Sequence, residues 1–212
     1  MPGSLEKLLL NAGPSLVDEI PFISEQLYDT AGTLANPLLS MLRQRNGFYA
    51  LESALHVFPS HSKLQVIGLD KWNDQALWRG EFEGMADDCL FFAEDVFGGQ
   101  FCIKDCKVHT FDPETGKLDY LADDIDMWAS AIIDDYEILT GFSLAHAWQK
   151  QHGELTINTR LLPKIPFVMG GEFALNNLYL SDAVVGMKLR ADMAKQIKNL
   201  PEGAKIKLEV NE

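Results

Sequence analysis

The feature that most constrains this chain's fold is a series of short apolar runs near its middle, joined by connections of a few residues. Residues 89–93, 100–103 and 108–111 have the composition of strands, and residues 112–116 (Asp-Pro-Glu-Thr-Gly) have that of a tight turn. Parallel strands need a crossover of about a dozen residues or more, which these connections cannot provide. The sequence therefore predicts antiparallel pairing at the centre of the fold.

Helical patterns surround these runs, and the clearest is an apolar stripe that begins after a cap at Asp123 or Asp124 and ends at Gly141. Its positions have helical spacing and comprise Ile125, Trp128, Ala129, Ile132, Ile133 and Tyr136. Further predicted helices cover residues 15–27, 36–47 and 144–151 and a stretch that begins at Asp182, and further strands cover 64–69, 167–171, 176–180 and 205–210. Central strands with helices around them predict an α+β fold.

The 212 residues are enough for one domain with a substantial core. We predict a single domain over residues 1–212, in which residues 1–45 form an N-terminal helical extension. No apolar run approaches the roughly 18 residues of a membrane helix. The three cysteines, Cys89, Cys102 and Cys106, do not have the spacing of a disulfide framework. Reduced thiols and a cytoplasmic location follow as expectations.

The charge of the chain is concentrated in its middle. The net charge is −13, and residues 81–137 contain 16 acidic and 3 basic side chains, whereas the rest of the chain has 15 of each. Direct nucleic-acid binding needs a concentrated basic surface, so we do not expect it. An acidic face suits a basic partner and speeds the encounter with it. The alternative interpretation is that the charge serves solubility alone.

Sequence motifs of catalysis, nucleotide binding and metal binding are absent. Neither G-x-x-x-x-G-K-[ST], G-x-G-x-x-G nor G-x-S-x-G occurs. The pairs His56/His61 and His146/His152 do not have the i, i+4 spacing of a zinc-binding helix. We therefore expect no metal ion, no cofactor and no enzymatic activity. An enzyme would need a pocket that unites His56 or His61 with Glu94 and a cysteine.

The candidate binding residues combine two tryptophans with part of the acidic stretch. Trp72 and Trp78 flank a polar segment, where an exposed loop would make them interface anchors and a loop packed on the sheet would bury them. Glu94 and Asp95 are neighbours on a strand, so they point to opposite faces, and we expect an exposed acidic edge rather than a catalytic pair. The predicted interface comprises Trp72, Trp78, Glu81, Glu83, Asp87, Asp88, Glu94 and Asp95.

Several segments, taken in their order along the chain, resemble the SUKH superfamily, which is named for the yeast Smi/Knr cell-wall regulators and their bacterial relatives. They are residues 47–58 (GFYALESALHVF), residues 90–101 (LFFAEDVFGGQF), the turn at 112–116, Trp128 in its helix, and residues 162–171 (LPKIPFVMGG). The resemblance implies an α+β fold with a central mixed, mostly antiparallel sheet packed by helices. It carries no catalytic residues.

Many bacterial members of that superfamily look like immunity proteins, which bind and neutralise a toxin, often a nuclease. The resemblance therefore implies a non-enzymatic protein that blocks the active site or substrate groove of a cognate toxin. A basic toxin domain would match the acidic stretch of this chain. The yeast branch implies the alternative, a regulatory or scaffold protein that binds an endogenous partner.

Overall fold

The structure is a computed structural model that describes residues 3–198 and 200. Its strands are β1 (Phe48–Ala50), β2 (Leu55–Val57), β3 (Leu90–Asp95), β4 (Gln100–Lys104), β5 (Lys107–Asp112), β6 (Lys117–Ala122), β7 (Thr159–Pro163) and β8 (Leu178–Asp182). Its α-helices are α1 (Ser4–Leu10), α2 (Glu25–Ala31), α3 (Ala35–Gln44), α4 (Leu69–Trp72), α5 (Ile125–Asp134), α6 (Tyr136–Thr140), α7 (Phe142–His152) and α8 (Ala183–Ile197). Short 3₁₀ turns cover Gly32–Leu34, Arg79–Phe82, Phe167–Met169 and Leu175–Asn177.

Strands β1 to β6 form one sheet in which each strand pairs with the next along the chain, always antiparallel. β7 and β8 form a separate antiparallel pair. The predicted α+β class and the antiparallel centre are thereby confirmed. The turn predicted at 112–116 joins β5 to β6, and residues 105–106 join β4 to β5.

Strand β3 is buried on both faces, which explains its continuous apolar sequence. Phe92 packs edge-to-face on Trp128 of α5, with ring centroids 5.0 Å apart. The neighbouring Phe91 points the opposite way and packs on Trp78, also at 5.0 Å. The predicted apolar stripe of α5 thus covers one face of the sheet, and residues 69–82 cover the other. Truncating a buried aromatic residue of this kind costs about 3–5 kcal/mol.

The N-terminal region is helical, but the helix predicted for 15–27 is wrong. Residues around Leu16 instead run extended beside β1, where the N–H of Leu16 donates to the carbonyl of Gly47 at 2.9 Å. Pro14 and Pro21 keep this segment out of a helix. Leu8 of α1 and Leu38 of α3 belong to the main core cluster, so the first 45 residues share the core of the sheet.

Other boundaries also depart from the predictions. The strand predicted for 64–69 is wrong: residues 64–65 form a tight turn bridged by Lys63 and Val66, and α4 begins at Leu69. Leu64 is almost fully exposed. Residues 167–171 contain a 3₁₀ turn instead of extended chain. The helix predicted to end at Gly141 is interrupted at Asp135, whose φ of −138° and ψ of 43° are not helical, and α6 follows it. The strand predicted for 205–210 lies outside the described residues.

The two edges of the main sheet are protected in different ways from pairing with a strand of another molecule. Beside β1, the N–H of Gly13 donates to the carbonyl of Tyr49 at 2.8 Å, and Ala12 bridges Ala50. β6 pairs with β5 and, within the described residues, with no further strand. Its exposed side chains include Lys117 and Asp119, which form an ion pair at 3.0 Å.

Candidate functional site

The two predicted anchor tryptophans belong to the core and are unavailable to a partner. Trp72 is 1% exposed and Trp78 is 0% exposed. Their ring centroids lie 5.6 Å apart, and the indole N–H of Trp72 donates to Oε1 of Gln100 at 2.8 Å. α4 and the 3₁₀ turn that follows fold the polar segment between them back onto the sheet. Both rings therefore point inward, and the prediction that they anchor an interface is wrong.

Glu94 is also buried, so its predicted place on an exposed acidic edge is wrong. Its Oε1 accepts a hydrogen bond from Nδ1 of His56 at 3.0 Å and lies 2.8 Å from Nη2 of Arg160. Each of these three side chains is 1% exposed. A second oxygen of Glu94 accepts from Nε2 of Gln100 at 3.2 Å. Glu94 is buried because β2 and β7 bring a histidine and an arginine to it.

Ionisation within this cluster follows from burial and pairing. Burial lowers the pKa of His56 to about 4, so the imidazole is neutral at neutral pH. Burial alone would raise the pKa of Glu94, but the charge of Arg160 and the hydrogen bond from His56 hold that pKa below its usual value. The result is a Glu94–Arg160 ion pair with a neutral histidine beside it. Tyr49 stacks on His56 at 4.3 Å and closes the cluster from outside.

The histidine and cysteine positions that an enzyme would have to unite are separated. His56 meets Glu94, whereas His61 lies near the surface, where it stacks on Phe22. Cys89 and Cys102 are buried free thiols, and Cys106 is a partly exposed one. In the part of the chain that the structure describes, no group of three or more His, Cys, Asp or Glu side chains is arranged to hold a metal ion.

Asp95 points away from Glu94, as neighbours on a strand should. Its Oδ1 accepts backbone hydrogen bonds from Phe97 at 2.7 Å and from Gly99 at 2.8 Å, which close the turn between β3 and β4. Burial raises the pKa of Asp95 to about 7, although both hydrogen bonds oppose the shift. This carboxyl group therefore serves the turn and is only partly exposed.

The remaining four predicted residues, Glu81, Glu83, Asp87 and Asp88, are exposed at the surface. Glu81 lies within the 3₁₀ turn at Arg79–Phe82, and the other three lie on the loop between that turn and β3. Glu83 faces Lys195 of α8 at 3.8 Å, a distance at which an exposed ion pair contributes little to stability. The structure thus exposes four of the eight predicted residues, buries Trp72, Trp78 and Glu94, and leaves Asp95 partly exposed.

An open cleft of about 700 Å³ borders this loop, and we call it the acidic cleft. Its carboxylates belong to Asp70, Asp74, Asp87 and Asp88. Each of them has at least one oxygen that makes no hydrogen bond or ion pair with the described residues. The opposite wall is polar. It is formed by Gln26 and Thr30 of α2 and by Ser24, which precedes that helix.

One arginine lines the acidic cleft, but its charge is turned inward. Arg79 is 7% exposed, and its guanidinium donates to the carbonyls of Asn73 at 2.9 Å and of Ala86 at 2.7 Å. It therefore ties Asn73, which is next to Asp74, to Ala86, which is next to Asp87. Sequence reasoning identified Asp87 and Asp88 but missed Asp70 and Asp74, because they precede the acidic stretch in the chain and join it only through the fold.

No protein-family model matches the sequence, and no curated protein does. A solved structure described as Atu4351 from Agrobacterium tumefaciens is similar in fold, with a TM-score of 0.56. The alignment covers 88% of this chain and 87% of that chain, with 15% sequence identity. At this identity the likeness shows the shared α+β fold alone. None of the helices described is long and apolar enough to cross a membrane.

Proposed function

We propose that the protein is a non-enzymatic, immunity-type inhibitor that binds a basic toxin domain at the acidic cleft. By occupying the toxin's active site or substrate groove, it would neutralise the toxin in the bacterial cytoplasm. The observation that carries the proposal is the open cleft of about 700 Å³ bordered by exposed carboxylates. The resemblance to the SUKH superfamily supplies the biological setting.

The geometry of the cleft suits cationic side chains of a partner. A lysine or arginine that enters it would meet carboxylate oxygens on one wall and hydroxyl or amide groups on the other. Glu81 and Glu83 extend the negative field beyond the rim. Such a field accelerates the encounter with a basic protein, and it acts most strongly at low ionic strength.

The first experiment tests whether such a partner exists. The tagged protein is co-expressed with the product of the neighbouring gene, and complex formation and toxin activity are measured. Capture of a toxin domain together with loss of its activity supports the proposal. If co-expression gives no protection and the protein instead captures an endogenous regulatory partner at the same cleft, the inhibitor proposal is overturned in favour of a scaffold protein.

Charge reversal then tests the surface itself. In Asp87→Lys/Asp88→Lys, we expect the association rate with the basic partner to fall by about tenfold or more at low salt, because the steering field reverses at the rim. Stopped-flow or surface-binding kinetics at two salt concentrations measure this, since about 0.1 M salt screens charges beyond roughly 10 Å.

The matched control is Glu154→Lys/Glu172→Lys. Both glutamates are exposed and lie outside the acidic cleft, and the net charge changes by the same amount. Association of this control variant should stay close to that of the wild type. Equal slowing of both variants would show that overall charge, and not the acidic cleft, controls the encounter.

A further inference from the structure

A second cleft lies between the strands β3 to β5 and the loop that joins β7 to β8. Its volume is about 420 Å³, within the range of small-molecule sites. We call it the aromatic cleft because its lining includes Phe97, Phe101, Phe111, Phe167 and Phe173. It does not share a lining residue with the acidic cleft.

The aromatic wall is preformed by ring packing. Phe167 and Phe173 stack with centroids 3.9 Å apart and planes 5° apart, and Phe97 meets both edge-on. At the mouth, Phe173 is 65% exposed and Ile138 is 77% exposed. Apolar surface that is left uncovered at the mouth of a cavity favours a ligand with an apolar body.

Arg190 supplies a polar group with unused hydrogen-bonding capacity. Its side chain comes from α8, lines the cleft and is 8% exposed. Nε donates to the carbonyl of Gly186 at 3.0 Å, and Nη1 donates to that of Phe97 at 2.7 Å. The partner of Nη2 among the described residues is the sulfur of Met187 at 3.5 Å, a weak acceptor. A buried guanidinium nitrogen whose partner is a weak acceptor favours an additional hydrogen bond to an oxygen atom.

Each carboxyl group of the cleft has at least one oxygen engaged by the fold. Oδ1 of Asp95 accepts two backbone N–H groups at 2.7 and 2.8 Å, and Oε2 of Glu114 accepts the N–H of Val168 at 2.8 Å. Asp112 accepts the N–H of Glu114 at 2.9 Å. The negative charges of these groups disfavour a bound anion, and the nearby guanidinium disfavours a bound cation.

We infer that the aromatic cleft binds an uncharged small molecule that has a flat apolar body and a carbonyl oxygen. The carbonyl accepts a hydrogen bond from Nη2 of Arg190, and the body packs against Phe173 and Ile138. The hydrogen bond that the N–H of Val168 donates to Glu114 holds the β7–β8 loop over the ligand. This inference does not depend on the proposed inhibitor function, because the two clefts have separate linings.

Four naphthalene derivatives serve as probes, since they share one flat body and differ in a single group. Titration followed by amide NMR shifts gives Kd for 2-acetylnaphthalene, 2-ethylnaphthalene, 2-naphthoate and 2-naphthylmethylammonium. We expect 2-acetylnaphthalene to bind at least about tenfold more tightly than the other three, as one hydrogen bond to a charged group allows. The shifts should centre on residues 97–99 and 167–173. Tightest binding of 2-naphthoate, or no binding of any probe, would overturn the inference.

Variants locate the binding and test the role of Arg190. Phe173→Ala should weaken 2-acetylnaphthalene binding by about tenfold, whereas Phe22→Ala should leave it unchanged. Phe22 is a matched control, because it is 62% exposed and lies outside the cleft. Arg190→Gln should abolish the preference for 2-acetylnaphthalene over 2-ethylnaphthalene. If Arg190→Gln does not fold, the Phe173→Ala result decides, and unchanged binding in Phe173→Ala overturns the inference.

Discussion

The acidic cleft and the interior around the C-terminal end of β3 contain the same kind of side chain in opposite roles. Asp87 and Asp88 face solvent with carboxylate oxygens available to a partner. A few residues later, both oxygens of Glu94 are occupied by Arg160, His56 and Gln100, and Oδ1 of Asp95 accepts two backbone N–H groups. The number of acidic residues in a segment therefore does not give the charge that a partner meets, because hydrogen bonding decides which carboxylates are available.

The largest expected effect tests the interior side of this comparison. Glu94→Ala should lower the free energy of unfolding by about 3–5 kcal/mol, because Arg160 would be left buried without its counter-charge. Urea unfolding with linear extrapolation measures the loss. The double variant Glu94→Leu/Arg160→Met should recover much of it, since no uncompensated charge remains. An equal or larger loss in the double variant would show that Glu94 acts through packing.

A pH-dependent effect of intermediate size follows from Asp95. Its pKa is about 7 in the folded protein, against about 3.9 for a free aspartate, so the folded state binds a proton that the unfolded state releases. The contribution of Asp95 to stability is therefore fully present below about pH 4 and is lost as the pH rises to 7. The contribution of Asp95 to the free energy of unfolding changes by at most about 1.4 kcal/mol per pH unit.

Asp95→Asn removes this dependence while keeping an oxygen acceptor for the turn. We expect the stability of the wild type relative to Asp95→Asn to fall between pH 5 and pH 7. The contribution of His56 to stability changes with pH in the opposite direction, because its pKa in the folded protein lies below that of a free histidine. This contribution is the same in the wild type and in Asp95→Asn, so it cancels when their stabilities are compared. If the free energies of unfolding of the wild type and of Asp95→Asn changed by the same amount with pH, a raised pKa for Asp95 would be contradicted.

The smallest expected effect belongs to the acidic cleft. Asp87→Ala should change the free energy of unfolding by no more than about 0.5 kcal/mol, because its carboxylate is exposed and accepts one exposed hydrogen bond, from Gln75 at 3.2 Å. The same denaturation measurement checks this value. A loss as large as that of Glu94→Ala would remove the distinction between the two regions.

Sequence reasoning succeeded where local signals are strong. β3 to β5 and the start of α5 follow from apolar runs, turn residues and the capping aspartate, and Asp124 accepts the N–H of Met127 at 2.8 Å as a cap should. β1 and β2 were missed because each has three residues and depends on long-range pairing. β7 has five residues, but it was missed as well because its partner β8 comes after a long loop, and with β7 the arginine that neutralises Glu94 was missed.

The candidate site was predicted in part for a related reason. Exposure of Asp87 and Asp88 follows from a polar loop, which local composition can indicate. The burial of Trp72 depends on the short helix α4, which composition does not indicate. Asp70 and Asp74 join the acidic cleft only because residues 69–82 fold back onto the sheet. No pattern of one-dimensional spacing contains that information.

The protection of the two sheet edges has a consequence for solubility at high concentration. An unpaired, flat strand offers hydrogen-bonding groups to a second molecule and can start a growing stack. Here the extended chain near Gly13 already uses the hydrogen-bonding groups of β1, and charged side chains such as Lys117 and Asp119 mark the β6 edge. A second copy that approached β6 would have to desolvate those charges. The fold thus discourages its own polymerisation through strand addition.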